Sequence, residues 1–172
     1  LPQDVEDWLE PKRGRKIHRK LFVTPKVRTQ PTQSPYAGPN AINGFSRAES
    51  WPNIWISGPG LPQWLSLSWR EPTRIRQIEL IFDTQLDYSD QMYGFPRGRD
   101  DYAIPCPIKE TVKSYRIEVH EQGDWRPIVE VHDNYQRRRL HPLERAVMKL
   151  RVVVEDTWGA GSARLFSIRA RR

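Results

Sequence analysis

From Trp64 onward the chain alternates, and that alternation is the strongest limit on its fold. "WLSLSW" (64–69) sets Leu65, Leu67 and Trp69 against Ser66 and Ser68. "IRQIELIFD" (75–83) sets Ile78, Leu80 and Phe82 against Gln77 and Glu79. "SYRIEVHE" (114–121), "WRPIVEVH" (125–132), "VMKLRVVVE" (147–155) and "RLFSIRA" (164–170) follow in the same style. Successive side chains of a strand point to opposite faces, so period two marks half-buried strands. "EQGDW" (121–125) reads as a hairpin turn, because Gly123 tolerates positive φ. Fifteen prolines against ten glycines, with many short apolar runs, argue against a helical bundle. The direct inference is an antiparallel β-sandwich.

The first third reads differently. "LPQDVEDWLE" (1–10) has the spacing of a short helix, which Pro11 and Gly14 end. "RKIHRKLFVT" (15–24) turns strand-like towards its end, and "TPKVRTQPTQSPYAGP" (24–39), with four prolines, reads as an extended linker. Residues 1–35 are therefore expected as a basic arm and 36–172 as the sandwich. The arm holds eight basic and four acidic residues, which leaves only +3 of the net +7 for the other 137 residues. A second irregular stretch lies between Asp83 and Val112 and contains Tyr88, Tyr93, Phe95 and Tyr102. Loops above roughly 12–15 residues are usually functional or disordered, and this aromatic content argues against plain disorder.

Several classes of function lose support. A single cysteine, Cys106, allows neither an internal disulfide nor a cysteine-based zinc site. No apolar run reaches the roughly 18–20 residues of a membrane-spanning helix, so no membrane partner is expected. The chain begins with Leu1 rather than Met, which points to a processed chain or an excised piece of a longer one. His18, His120, His132 and His141 are scattered, and Asp100–Asp101 with Glu110 make a poor acid–base pair. No nucleophile elbow, zinc helix or G-x-G-x-x-G fingerprint is present, so neither catalysis nor a dinucleotide cofactor is expected. The run "NYQRRRLHPL" (134–143) places Arg137 and Arg139 on one strand face and Arg138 on the other. It is read as a strand edge or a domain contact, since a nucleic-acid binder needs a broader basic face.

The order of the motifs resembles a known family. "PNAINGFSRAESWPNIWIS" (39–57), "QWLSLSW" (63–69), "RIRQIELIFDT" (74–84), "SYRIEV", "DWRPIVEV", "NYQRRRLHPL" and "LRVVVEDTWGAGSARLFSIRA" together resemble galactose-binding-like, discoidin-type jelly rolls. The set including "FDTQL", "YQRRRLH" and "SARLFSIRA" looks most like the carboxy-terminal modules of bacterial FAD-dependent oxidoreductases. The likeness spans about residues 36–170.

The resemblance implies an all-β, antiparallel jelly-roll sandwich and a non-catalytic, glycan-binding accessory module of a larger bacterial enzyme. Its ligand would meet loops at one end. The different-class alternative is a structural interaction domain packing on a catalytic domain or sister subunit. Trp55, Trp64, Trp69, Trp125 and Phe166 are expected in the core. Trp158, with Gly159 and Gly161 leaving space beside it, is the leading ligand-binding candidate, joined by Tyr88, Tyr93 and Tyr102 as stacking surfaces. Arg137, Arg139 and His141 are candidate polar anchors. The family's structural calcium uses acidic ligands in a turn and in the last strand. Here Asn43–Gly44 and Ser167 stand at those places, so no cofactor is expected and at most a weak calcium site built on carbonyls is left open. Compartment is left open, leaning to an extracytoplasmic or secreted one.

Overall fold

Two strands of 20 residues each run through the whole molecule and decide its architecture. The computed structural model describes residues 25–30, 32–47, 52–84 and 107–172. In chain order the elements are β1 (Lys26–Thr29), a 3-10 turn (Gly38–Ile42), β2 (Trp55–Ile56), β3 (Gln63–Phe82), β4 (Val112–Glu121), β5 (Asp124–Val131), β6 (Arg138–Thr157) and β7 (Arg164–Arg171). All pairings are antiparallel, in the order β2-β7-β3-β6-β4-β5, with β1 added on β3.

The long strands β3 and β6 pair with each other along nearly their full length, from Gln63↔Val154 to Ile81↔Arg138. Their other partners change halfway. Residues 63–68 of β3 join β1 and residues 149–154 of β6, which in turn joins β4 and then β5. Residues 77–82 of β3 instead join β7, which carries β2. The ribbon therefore folds over on itself and contributes to both layers of the sandwich. Register shifts between Ser68 and Thr73 and between Ile75 and Gln77 mark the fold, where extra residues bend and twist a strand. Pro72 lies inside the first shift, and Glu144 of β6, at φ 48°, turns the partner strand.

This geometry gives the sandwich two unlike ends. At the open end lie both termini of β3 and both termini of β6, and so residues 57–62, 83–84, 107–111, 132–137 and 158–163. At the bend end lie residues 69–76 and 143–148 and the β4–β5 hairpin. The start of β1 (Lys26 opposite Ser68) and the end of β7 (Arg171 opposite Gln77) lie there too.

The core sits between the layers. Leu65, Leu67 and Trp69 from one half of β3 meet Ile78, Leu80 and Phe82 from the other half, with Tyr115, Ile117 and Val119 of β4, Leu150, Val152 and Val154 of β6, and Leu165 and Ile168 of β7. Each such side chain taken from water stabilises the fold by about 1.5–3 kcal/mol, so the alternation in the sequence dictates which face turns inward. The rings of Phe82 and Tyr115, from opposite layers, lie 5.0 Å apart. A smaller cluster of Ile54, Ile56, Ile81 and Phe166, with Tyr36 against it, covers the outer side of β2, β7 and the end of β3. Double-sided burial explains why residues 80–82 are apolar without alternation.

Three sequence expectations need correcting. The runs 64–69 and 75–83 are one bent strand, as are 138–142 and 147–155, because the bends keep their pairing rather than breaking it. Residues 26–29, expected within a linker, pair with β3 as β1, so the sheet begins before residue 36. Trp55, Trp69 and Phe166 are buried as expected, but Trp64 and Trp125 are only half-buried. Arg151 lies 4.4 Å above the Trp125 ring, whose other contact is the edge of His120. The expected helix at 1–10 and the strand-like stretch 15–24 lie outside the described residues. The hairpin at Gln122–Gly123 is as expected, with both residues at positive φ (52° and 95°) and Glu121 opposite Asp124.

Candidate functional site

Trp158 follows β6 directly and is half-buried at the open end. Its indole Nε1–H donates to the Asn134 carbonyl at 2.7 Å, and its backbone N–H donates to Thr111 O at 3.1 Å. Lys113 Nζ sits 5.1 Å from the ring centroid and 3.3 Å from Asp156 Oδ2. The ring is thus fixed by one hydrogen bond and one cation. Gly161 is open to solvent on its Cβ side, whereas a Cβ on Gly159 (φ +146°) would come within 3.3 Å of Lys109 Cβ. Space beside Trp158 therefore belongs to Gly161, and Gly159 is held close to the 107–111 turn.

Asn134 organises the neighbouring connection. Its side-chain N–H groups reach Val112 O (2.8 Å) and Gln136 O (3.2 Å), and its Oδ1 accepts from the Gln136 N–H. This locks a tight turn, with Asp133 at φ 51°, from which Tyr135 projects. Tyr135 is the most exposed large apolar side chain among the described residues, at 67%. It lies one residue from the carbonyl that holds Trp158. Its signal in the sequence is an aromatic next to an Asn in a loop, beside the three arginines.

Arg137, Arg138 and Arg139 go three ways. Arg137 passes 5.9 Å from the Phe166 ring and donates to Ser46 O. Burial, and then the charge of Arg47, lowers its pKa against a weaker opposing pull from Asp83. Because β6 begins only at Arg138, strand alternation does not align Arg137 with Arg139. Arg138 pairs on the outer face with Glu79, which also meets Arg171 (2.6 Å) and Arg169 (3.9 Å). Burial alone would raise the Glu79 carboxyl, but the Arg138 and Arg171 guanidiniums outweigh it and hold it below its ordinary value. Arg139 joins a buried group on the inner side, where Tyr115 Oη lies 2.8 Å from His141 Nε2. Burial pushes the Tyr115 phenol up to about 12 and, with Arg139 adding to it, holds His141 down at about 4.

So Trp158 stands with Lys113, Asn134 and Tyr135, while Arg139 and His141 stand with Tyr115. Lys113 and Tyr115 are two residues apart on β4, roughly 7 Å along the strand. Arg137 is engaged on the other side of the sandwich. Tyr88, Tyr93 and Tyr102 lie outside the described residues. Thr84 and Pro107, which flank the undescribed stretch between them, are both at the open end. Glu110 is buried there, with Oε1 3.6 Å from Lys109 Nζ.

The turn at Asn43–Gly44 is where the family likeness would put calcium. Its Asn43 Oδ1 accepts the Phe45 N–H at 2.9 Å, Gly44 O accepts from Arg169 at 2.9 Å, and Ser46 O accepts from Arg137. A cation at those carbonyls would face two guanidinium charges, so the residues present do not fit calcium. Ser167 is buried with its hydroxyl unpaired. Among the described residues no group of three or more His, Cys, Asp or Glu side chains is placed to hold a metal, and no helix is long and apolar enough to cross a membrane.

No protein-family model matches the chain, and no curated protein matches it by sequence. Solved structures do. The family 32 carbohydrate-binding module of C. perfringens NanJ, in complex with galactose, superposes with a TM-score of 0.63 at 12% identity, covering 88% of this chain and 99% of that one. The family 32 module of Streptococcus pneumoniae EndoD gives 0.60 at 13%, covering 86% and 97%. A GH31 family 32 module bound to GalNAc gives 0.64 at 10%, also covering 86% and 97%. The chain thus has the antiparallel, galactose-binding-like jelly-roll fold of these modules over their whole length.

Proposed function

We propose that the chain is a non-catalytic glycan-binding module of a larger bacterial enzyme and meets its ligand at the open end of the sandwich. The observation that carries this is the pairing of Trp158 with exposed Tyr135 through the Asn134 turn, with Lys113 and Asp156 beside them. Rigid aromatic faces take the C–H face of a sugar ring, and a few fixed polar groups take its hydroxyls. Tyr88, Tyr93 and Tyr102 are proposed as further stacking surfaces and Arg139 as an anchor. Arg137 and His141 are assigned to shaping that end from behind. The fold likeness supports the reading, since two of the three neighbours named above were solved with galactose or GalNAc.

A glycan array probed with the full chain, beside Trp158→Ala and Tyr135→Ala, tests this. Selective binding that drops at least tenfold in both variants is expected. A folded chain that binds no glycan sinks the reading in favour of the second one, a domain that packs on a catalytic partner. That alternative draws on the exposed Leu140 (42%) and Met148 (45%). It also draws on the sequence likeness to modules of FAD-dependent oxidoreductases, which would make the parent such an enzyme.

A further inference from the structure

The bend end carries a cluster of arginines that the fold does not neutralise. Arg74, Arg76 and Arg172 line a groove of about 340 Å³ with Pro72 and Thr73. Many arginines elsewhere on the sheets are paired: Arg116 and Arg151 with Glu118, Arg145 with Glu121, Arg164 with Asp83, and Arg138, Arg169 and Arg171 with Glu79. In the groove only Arg74 has an ion pair among the described residues, a 3.5 Å contact to Glu144 in which both side chains are largely exposed. Such exposed pairs are weak. Arg76 and Arg172 have no carboxylate within reach among the described residues. Glu71 of the same bend enters no ion pair among them either. Arg76 stands inside the register shift between Ile75 and Gln77, and a shift of this kind re-aims a side chain out of the ladder.

We propose that this groove is a second binding site, for a carboxylate or sulfate group on an acidic polysaccharide. Three guanidiniums lining one groove attract an oxyanion, and each presents a planar fork that matches two oxygens. A neutral sugar has no use for that charge. The lining contains no aromatic ring on which an unpaired base would stack, and single-strand binders rely on such rings. The neighbouring Arg138, Arg169 and Arg171 on the flank are tied to Glu79 and are not free to extend the groove along that side. The site is at the opposite end from Trp158 and does not depend on the function proposed for that residue.

Titration calorimetry on the full chain tests it, with an oligogalacturonate, a sulfated oligosaccharide, a neutral oligogalactose and a single-stranded oligonucleotide, each at low and at physiological salt. Binding of one or both acidic oligosaccharides, weakened by salt, is expected. It should fall at least tenfold in Arg76→Ser and in Arg172→Ser and stay unchanged in Trp158→Ala. Both arginines are exposed, so these variants should melt at the wild-type temperature. Acidic-saccharide binding that is absent from the folded chain, or that survives both arginine changes, overturns the proposal. So does an oligonucleotide that binds more tightly than either saccharide and depends on the same arginines.

Discussion

Tyr115 Oη, on β4, lies 2.8 Å from His141 Nε2, on β6, and this contact joins the two layers of the sandwich through their interior. The charge of Arg139 bears on both groups. With burial holding its pKa down at about 4, the His141 imidazole is neutral in the folded chain above that pH.

The sign of the resulting pH dependence follows. The unfolded chain takes a proton on His141 near 6.5, whereas the folded chain resists until about 4. The stability this gives is present above pH 6.5 and is lost as pH falls from there to 4. Its size is about 3 kcal/mol. Urea unfolding across that window should show the slope in the wild type and its loss in His141→Gln. Equal slopes in the two proteins would refute a neutral, buried His141.

Removing the phenol hydroxyl strands a buried partner. Tyr115→Phe should keep the fold and cost about 1–3 kcal/mol, because His141 Nε2 loses its bond. Chemical denaturation measures it, and a cost below about 0.5 kcal/mol would mean that water replaces the hydroxyl.

The carboxylates of Glu79 and Glu118 act in a lower window. For each, burial would raise the pKa, but the flanking arginines outweigh it, Arg138 and Arg171 for the first and Arg116 and Arg151 for the second. Their stability is therefore present above the ordinary carboxylate range and lost as pH falls below it. Glu79→Gln should flatten the acid limb of the stability curve while leaving the His141 slope untouched.

Because Arg169 and Arg137 hold the carbonyls of Gly44 and Ser46, a chelator should not shift the melting temperature. Arg169→Ala should lower stability by about 1–2 kcal/mol, the range for a lost hydrogen bond from a charged group. A melting point that rises in calcium and falls in chelator would show that the turn binds the metal after all.

Gln122 sits at φ 52° in the two-residue hairpin before Gly123. Asn is favoured there because it tolerates the left-handed region. Gln122→Asn should stabilise the domain by about 0.5 kcal/mol, read as a rise in the denaturation midpoint.

Much of the fold was legible because burial is periodic. Leu65, Leu67, Ile78, Leu80, Tyr115, Ile117 and Val119 all face inward as their spacing implied. The bends were not legible, since Pro72 and the charged residues around it look like a break when the pairing in fact continues through them. β1 was hidden for a related reason. Four residues beside prolines show no pattern until β3 supplies a partner. The glycine-rich surroundings of Trp158 make it a candidate in the sequence alone. Its contacts with Lys113 and Asn134, and the exposure of Tyr135 beside them, are not visible there, because they depend on which connections the folded ribbon brings to one end.

The sheet is entered at Lys26 and left at Arg171, and both points lie at the bend end. A neighbouring domain joined at either place would sit behind the module, and Trp158 would face away from it. The chain then has a direction of presentation. A ligand at the open end, as proposed, would be held at the full length of the sandwich from such a point of attachment, while the Arg74, Arg76 and Arg172 groove would look back toward the attached domain.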